Sequence, residues 1–365
     1  MTGIWRWGSR LPDVAKTAHI TLGEGDTPLI DVSRSFGSLF NGATVLLKAE
    51  HLNPTGSFKD RVAAVAAGLV VSLGLQGAVG TSSGNGGAAI AAYAAAAGFP
   101  AVLLTLPDAP AAKLRQIRAA GARVLPVEGL GYDARNTRMV AEEVTRIARD
   151  QRWLAFLTGG RFAAEIMTGA KTIAYELAEQ VPHASVVYAP VGGGGLAASL
   201  ARGYDDLDPV LRPTLRFVQP RGNATVRAAL NGEHEDSQAR STTNISGLQV
   251  AILFDDVTHA LRTEKDALVE IDDDDAATAQ ALLASAGVLL ERAGATALAG
   301  ALRDAGRYGP DDTIVAVATG AGWKTPDDFA APDAAPALLG SVGELSGILG
   351  AYGGSLAETG DGRAP

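Results

Sequence analysis

The chain has 365 residues, 47% apolar and 19% charged, a balance that suits a soluble globular protein with room for two ordinary domains. A formal net charge of −9 with no offsetting basic cluster argues against nucleic acid or an anionic membrane as partner. The lack of cysteine excludes a disulfide framework, a thiolate metal site and a cysteine nucleophile, and five scattered histidines with no i, i+4 pair argue against zinc.

Met1-Thr2-Gly3-Ile4-Trp5-Arg6 lacks the charged-then-apolar layout of a secretory leader, and no apolar run reaches a membrane span, so a cytoplasmic protein is expected. Residues 1–40 read as mixed loop and short strand, with a shaped loop at Gly23-Glu24-Gly25-Asp26-Thr27-Pro28-Leu29. A strand over 43–49 is broken by Asn53-Pro54-Thr55-Gly56, and a buried helix follows over 62–73. Next come a strand at 77–81, a polar loop at 82–87, and a helix over 88–97 that stops at Gly98. The spacing then predicts a strand at 101–105, a helix at 111–119, a strand at 124–127 and an amphipathic helix over 133–149.

The alternation restarts with a helix at 169–180, a buried strand at 185–191, four glycines at 192–195, a helix from Leu196 and a strand at 215–218. Residues 221–270 are less regular, with a surface loop expected at 233–243. A helix at 276–286, a strand at 288–291, a helix at 296–305 and a strand at 313–318 lead to Thr319-Gly320-Ala321-Gly322-Trp323-Lys324. From Asp327 onward Pro, Ala and Gly dominate, and the last dozen residues are expected to be disordered. No short-period repeat is present. Alternation of this kind, with helix-length connections, predicts an α/β fold of mainly parallel sheets covered on both faces.

In such sheets ligands bind at the strand C-terminal ends. Lys59 stands where a strand gives way to a helix, so an apolar helix behind it and the positive end of the helix dipole both favour its neutral, nucleophilic amine. That suits Schiff-base chemistry on a carbonyl cofactor, although a lone lysine there also reads as an ordinary turn-capping residue. Gly192, Gly193, Gly194 and Gly195 offer unobstructed N–H groups at a helix start, which suits a phosphate dianion. The same turn partly fits a dinucleotide fingerprint through Gly192, Gly194 and Ala197, but the next strand ends in Val218-Gln219-Pro220 without the ribose-binding acid. Ser82-Ser83-Gly84-Asn85-Gly86-Gly87 can hold a small anion such as a substrate carboxylate, or can simply cap its helix. Asp272 to Asp275 precede a helix, where acids complement the dipole, and no metal is assigned to them. Asp60 and Arg61 read as a helix-start pair, and His51 as a structural histidine with its hydrogen bonds satisfied.

The segment Asn53-Pro54-Thr55-Gly56-Ser57-Phe58-Lys59-Asp60-Arg61 resembles the cofactor-lysine segment of threonine synthases, pyridoxal-phosphate enzymes of fold type II. The loops 23–29, Ser82-Ser83-Gly84-Asn85 and 319–324 are similar to three further motifs of that family. Pro190-Val191-Gly192-Gly193-Gly194-Gly195-Leu196 and Ser246-Gly247-Leu248 are closer to serine/threonine dehydratases. The resemblance spans residues 20–326. It implies two three-layer domains with pyridoxal 5'-phosphate in the cleft between them: 1–55 with 156–326 as the cofactor domain, 56–155 as a small mobile domain, and 327–365 as an extension. It implies that Lys59 holds the cofactor as a Schiff base, Gly192 to Gly195 its phosphate, Asn85 its ring hydroxyl and Thr319 its ring nitrogen. Ser82, Ser83 and the backbone near Gly84 and Gly86 would grip the substrate carboxylate.

Two places depart from the threonine synthase pattern: Gly86 stands where a threonine is typical, and 158–167 lacks the usual Asn-Ser pair, with Arg161 out of register. Fewer charge-assisted contacts to a phosphorylated substrate follow. The activity implied is β- or γ-elimination, with or without replacement, on a small polar amino acid by a homodimer. Threonine synthase is the nearest named activity, and the alternative is a dehydratase-type or β-substitution enzyme. A nicotinamide-dependent oxidoreductase and a cofactor-free binding protein are the readings from other classes.

Overall fold

The computed structural model describes residues 3–329 apart from 110, 129, 132, 133, 159–162, 234–240, 251, 252 and 254–266, together with Leu345, Gly347 and Leu349. By its internal contacts the chain divides into a unit of residues 1–328 and a second unit of residues 329–365. In the second, Phe329 is a bend and Leu345, Gly347 and Leu349 are helical. The disorder expected for the last dozen residues lies outside the described residues, as does most of the polar run 233–243.

In the first unit, β1 (Leu29–Asp31) and the single-turn α1 (Ser33–Phe36) lead to β2 (Thr44–Lys48) and α2 (Lys59–Ser72). Then come β3 (Ala78–Thr81), α3 (Asn85–Ala97), β4 (Ala101–Thr105), α4 (Ala111–Ala119), β5 (Arg123–Pro126), α5 (Ala134–Asp150) and β6 (Leu154–Phe156). The next stretch holds α6 (Ala164–Gln180), β7 (Val186–Pro190), α7 (Gly195–Asp205), β8 (Thr214–Pro220), α8 (Thr225–Leu230) and β9 (Leu268–Ile271). Helices α9 (Asp273–Ser285) and α10 (Arg292–Arg303) precede the last strand, β10 (Thr313–Val317).

Two sheets result. One has the order β1-β2-β10-β7-β8-β9, parallel except for the short antiparallel edge β1, and the other the order β5-β4-β3-β6, parallel throughout. Side chains alternate across each strand, so one face of the larger sheet packs Val187, Phe217 and Val315 against α6 and α7. Its other face packs Val186, Val218 and Ile314 against α9 and α10. The smaller sheet is likewise covered twice: Ala101, Leu103 and Phe156 face α3 and α4, while Val79 and Leu104 face α5. Each sheet is therefore the middle of three layers, and α2 packs against both α3 and α6.

The structure differs from the expectation at 288–291, which is not a strand. Leu290 makes a single bridge to Ala321, and Val288 N–H turns back to Leu283 O at 2.8 Å. Val288 and Leu290 are buried with α9 and α10, while Leu289 is exposed. Two strands were not anticipated: β6 has only three residues, too few to show a period, and β9 lies in the stretch read as irregular. Helices α2 and α6 begin earlier than expected, α2 at Lys59 itself. The acids before α9 form a capping box, with Asp275 accepting from Asp272 N–H at 2.8 Å. Asp273 accepts from Thr243 and Asn244.

A buried ion network ties the N-terminal loop, β2, α2 and α6 together. Arg61 donates to both oxygens of Glu50 and both of Glu176 at 2.6–2.8 Å, and Lys48 donates to Glu176 at 2.6 Å. All four side chains are 0% exposed. Burial would raise the Glu176 carboxyl, but the Arg61 and Lys48 charges and hydrogen bonds outweigh it and hold it at about 2, below its ordinary 4.5. Its contribution to stability is therefore complete above pH 4.5 and is lost as pH falls toward about 2. Glu176→Gln is expected to destabilise the fold by about 3–5 kcal/mol at neutral pH, because it strands buried cations. Glu143→Gln on the exposed face of α5 should leave the urea midpoint where it is.

Candidate active site

The loops that follow β2, β3, β7 and β10 meet at one cavity of about 440 Å³, bordered by loops from both sheets. It is lined by Lys59, Ser82, Ser83, Gly84, Asn85, Gly86, Gly192, Gly193, Gly194, Gly195 and Thr319, so every site residue expected from the sequence is brought together. Arg161 lies outside the described residues. His51 is buried and does not line the cavity, and its Nδ1 has no hydrogen-bond partner among the described residues, so its ring is not satisfied as expected.

The lysine loop is stitched to the loop after β10. His51 N–H donates to Ala318 O at 2.9 Å, Phe58 N–H to Thr319 O at 3.2 Å and Ala321 N–H to Gly56 O at 2.9 Å. Gly56 has φ +84°, and a Cβ there would come within 2.6 Å of the Trp323 ring and 2.9 Å of Lys324 Cε. Only glycine lets these two loops approach so closely. Asp60 fastens the turn from within, accepting from Thr55 N–H at 3.1 Å and Thr55 Oγ1 at 2.8 Å. It is thus a clamp on the turn, while its neighbour Arg61 belongs to the ion network.

Lys59 is half-buried, and its amine makes no hydrogen bond or ion pair among the described residues. Desolvation, with no acid to offset it, pushes the amine down from 10.5 to about 7. At the opposite strand end, Gly194 has φ +90° and α7 begins at Gly195. The N–H groups of Gly192, Gly193 and Gly194 meet no acceptor among the described residues. A Cβ at Gly195 would come within 2.9 Å of Met167 Cε and 3.0 Å of Thr158 O. This is a bare backbone cradle at a helix N-terminus, the donor set an anion requires.

Ser82 partly serves its own loop, its Oγ accepting from Gly87 N–H at 2.9 Å. Asn85 Nδ2 donates to Glu291 at 2.5 Å, and Asn85 Oδ1 is buried with no partner among the described residues. Thr319 is buried, and among the described residues its hydroxyl makes only a long 3.3 Å bond to Ala293 O. Two cavity residues escape a reading of the sequence: Glu291 falls at the end of an expected strand, and Lys113 on a helix with no role. The one signal for Glu291 is an acid closing an apolar run just before a helix of glycine and alanine. A free amine, an anion cradle and an amide with an unused acceptor, all around one cavity, fit an aldehyde cofactor with a phosphate tail.

The family described as "Pyridoxal-phosphate dependent enzyme" matches residues 20–320. The threonine synthase of Bacillus sp. (strain ULM1) is 30% identical over 339 residues, 88% of this chain and 90% of that one. Among solved structures, the threonine deaminase of T.th. is 27% identical with a TM-score of 0.68, covering 85% of this chain and 94% of its own. Maize serine racemase is 21% identical with a TM-score of 0.69, covering 91% and 93%, and shows the shared fold alone. The chain belongs to the pyridoxal-phosphate-dependent enzymes of fold type II, and its cofactor is pyridoxal 5'-phosphate.

Proposed function

We propose that this enzyme carries out elimination, with or without replacement, on a small polar amino acid, and that Lys59 is the lysine that carries its cofactor. The observation behind this reading is the half-buried Lys59 amine, without an acid partner among the described residues, sharing one cavity with the Gly192 to Gly194 amides, which meet no acceptor among them. Threonine synthase is the nearest named activity, supported by the 30% identical relative. When bound, pyridoxal phosphate supplies an electron sink for charge developing at the substrate α-carbon.

The residues divide the remaining work. Gly192 to Gly195 would hold the phosphate, Asn85 the ring hydroxyl, and Ser83 with the backbone of Gly84 to Gly86 the substrate carboxylate. Ser82 would add its hydroxyl while bracing Gly87. Thr319 offers the ring nitrogen a neutral hydroxyl, which does not favour its protonation as an aspartate would, so departure of a leaving group competes well against racemisation. Lys59 would also serve as the base that moves the substrate's α or β proton, with a basicity suited to neutral pH. On this reading residues 1–55 and 156–326 carry the cofactor, 56–155 close over it, 327–365 extend the fold, and the enzyme works in the cytoplasm as a homodimer.

A dehydratase-type activity is the second reading, favoured by Gly86 in place of threonine and by Ser246, Gly247 and Leu248 lining the cavity. Phosphohomoserine should release phosphate under the first reading, and serine or threonine should yield a 2-oxo acid under the second. Under either, Lys59→Ala is expected to lose the visible cofactor band and to lower turnover by about 10²–10⁴-fold. Reconstitution of the cofactor-free protein tests the amine itself. Below pH 7 the ammonium cannot attack an aldehyde, so the rate of band formation should rise with pH and level off above a midpoint of about 7, not 10.5.

A further inference from the structure

The cavity contains a charged pair to which the proposed function gives no task. Glu291, just before α10, is 2% exposed, and Lys113 of α4 is 4% exposed. Lys113 Nζ lies 3.1 Å from Glu291 Oε2 and donates to Ser246 Oγ at 3.1 Å. The other oxygen, Oε1, accepts from Asn85 Nδ2 at 2.5 Å. It also rests against Gly320, where a Cβ would come within 2.2 Å of it. The carboxylate thus touches Asn85, assigned to the ring hydroxyl, and Gly320, the neighbour of Thr319, which is assigned to the ring nitrogen.

A carboxylate can only accept, so the amide end of Asn85 that faces it must be the NH₂. That leaves Oδ1, buried and unpartnered, as the acceptor Asn85 has to offer. Glu291 meets Asn85 directly while Lys113 pairs with the other oxygen, so with Asn85 at the ring hydroxyl the negative charge would stand nearer the ring than the positive one. Among the described residues, Lys59 and Asp60 from α2, Lys324 from the loop after β10 and Asp108 from the loop after β4 are the other charged groups around the site.

We propose that Glu291 is a positioning residue for the cofactor: it sets the orientation of the Asn85 amide and places, at the hydroxyl edge of the ring, a negative charge that favours the protonated form of the bound cofactor. This rests on the assignments of Lys59 and Asn85 made above. An opposite charge within about 4–6 Å shifts a titration by about 1–3 pH units, and partial cancellation by Lys113 brings the expected effect to about one unit.

The test is the pH at which the visible band of the purified holoenzyme changes. Glu291→Gln combined with Lys113→Met removes both charges and leaves neither stranded in the interior. Glu291→Asp keeps the charge. The double variant should titrate about one pH unit below wild type, while Glu291→Asp stays with wild type. If the double variant does not fold, Glu291→Gln alone is read in the same way, since a charged or a neutral Lys113 both leave the midpoint lower. A variant lacking the acid that titrates no lower than wild type overturns the proposal, as does Glu291→Asp moving as far as the double variant. A Lys59→Ala protein that keeps the wild-type band would instead overturn the assignment of Lys59.

Discussion

Everything at the active site depends on how Arg61 is held. A guanidinium buried at 0% exposure is tolerable only if its charge is matched and its donors are used, and Glu50, Glu176, Thr172 and Thr27 meet both conditions. Glu50 also accepts from Thr27 and Asn53, and Asn53 in turn accepts from Gly25 N–H. The loop at 23–29, the turn at 50–56 and the start of α2 are thereby one polar assembly. Successive helical residues are rotated by about 100°, so Arg61 and Lys59 project in nearly opposite directions. Anchoring the arginine in the interior aims the lysine at the cavity.

Charge matching also distinguishes Lys59 from Lys48 and Lys113. Lys48 is deeply buried but has Glu176, Thr27 O and Gln180 as acceptors. Lys113 has Glu291 and Ser246. Lys59 is desolvated with no acid in reach among the described residues, and desolvation without compensation selects the neutral amine. Acceptors within reach, more than depth, distinguish Lys48 and Lys113 from Lys59.

The fold was readable wherever a local rule is strong. Helix α3 is a run of alanine stopped by Gly98 at φ +78°, and β7 is a fully buried apolar strand, as expected for the interior of a parallel sheet. Reading failed where apolar residues are buried by neighbours and not by their own pairing. Leu290 is 0% exposed in a segment that makes one bridge, so its pattern imitates a strand. Three-residue β6 has no period to detect, and it exists because β3 offers it an edge. Arg61 was expected to be a local helix-start partner of Asp60, but its acids lie 11 and 115 positions away.

By itself the sequence determined the α/β alternation, the glycine cradle and the lysine at a strand end, because turn chemistry and hydrophobic period act over a few residues. The family resemblance added the roles expected of Asn85 and Thr319. Only the tertiary structure decided that Glu291 and Lys113 share the cavity, that Asn85 is oriented by an acid 206 positions away, and that Lys59 has no counter-ion among the described residues. Those are properties of the field and solvent access at a point in space, set by segments far apart in sequence, and no local pattern encodes them.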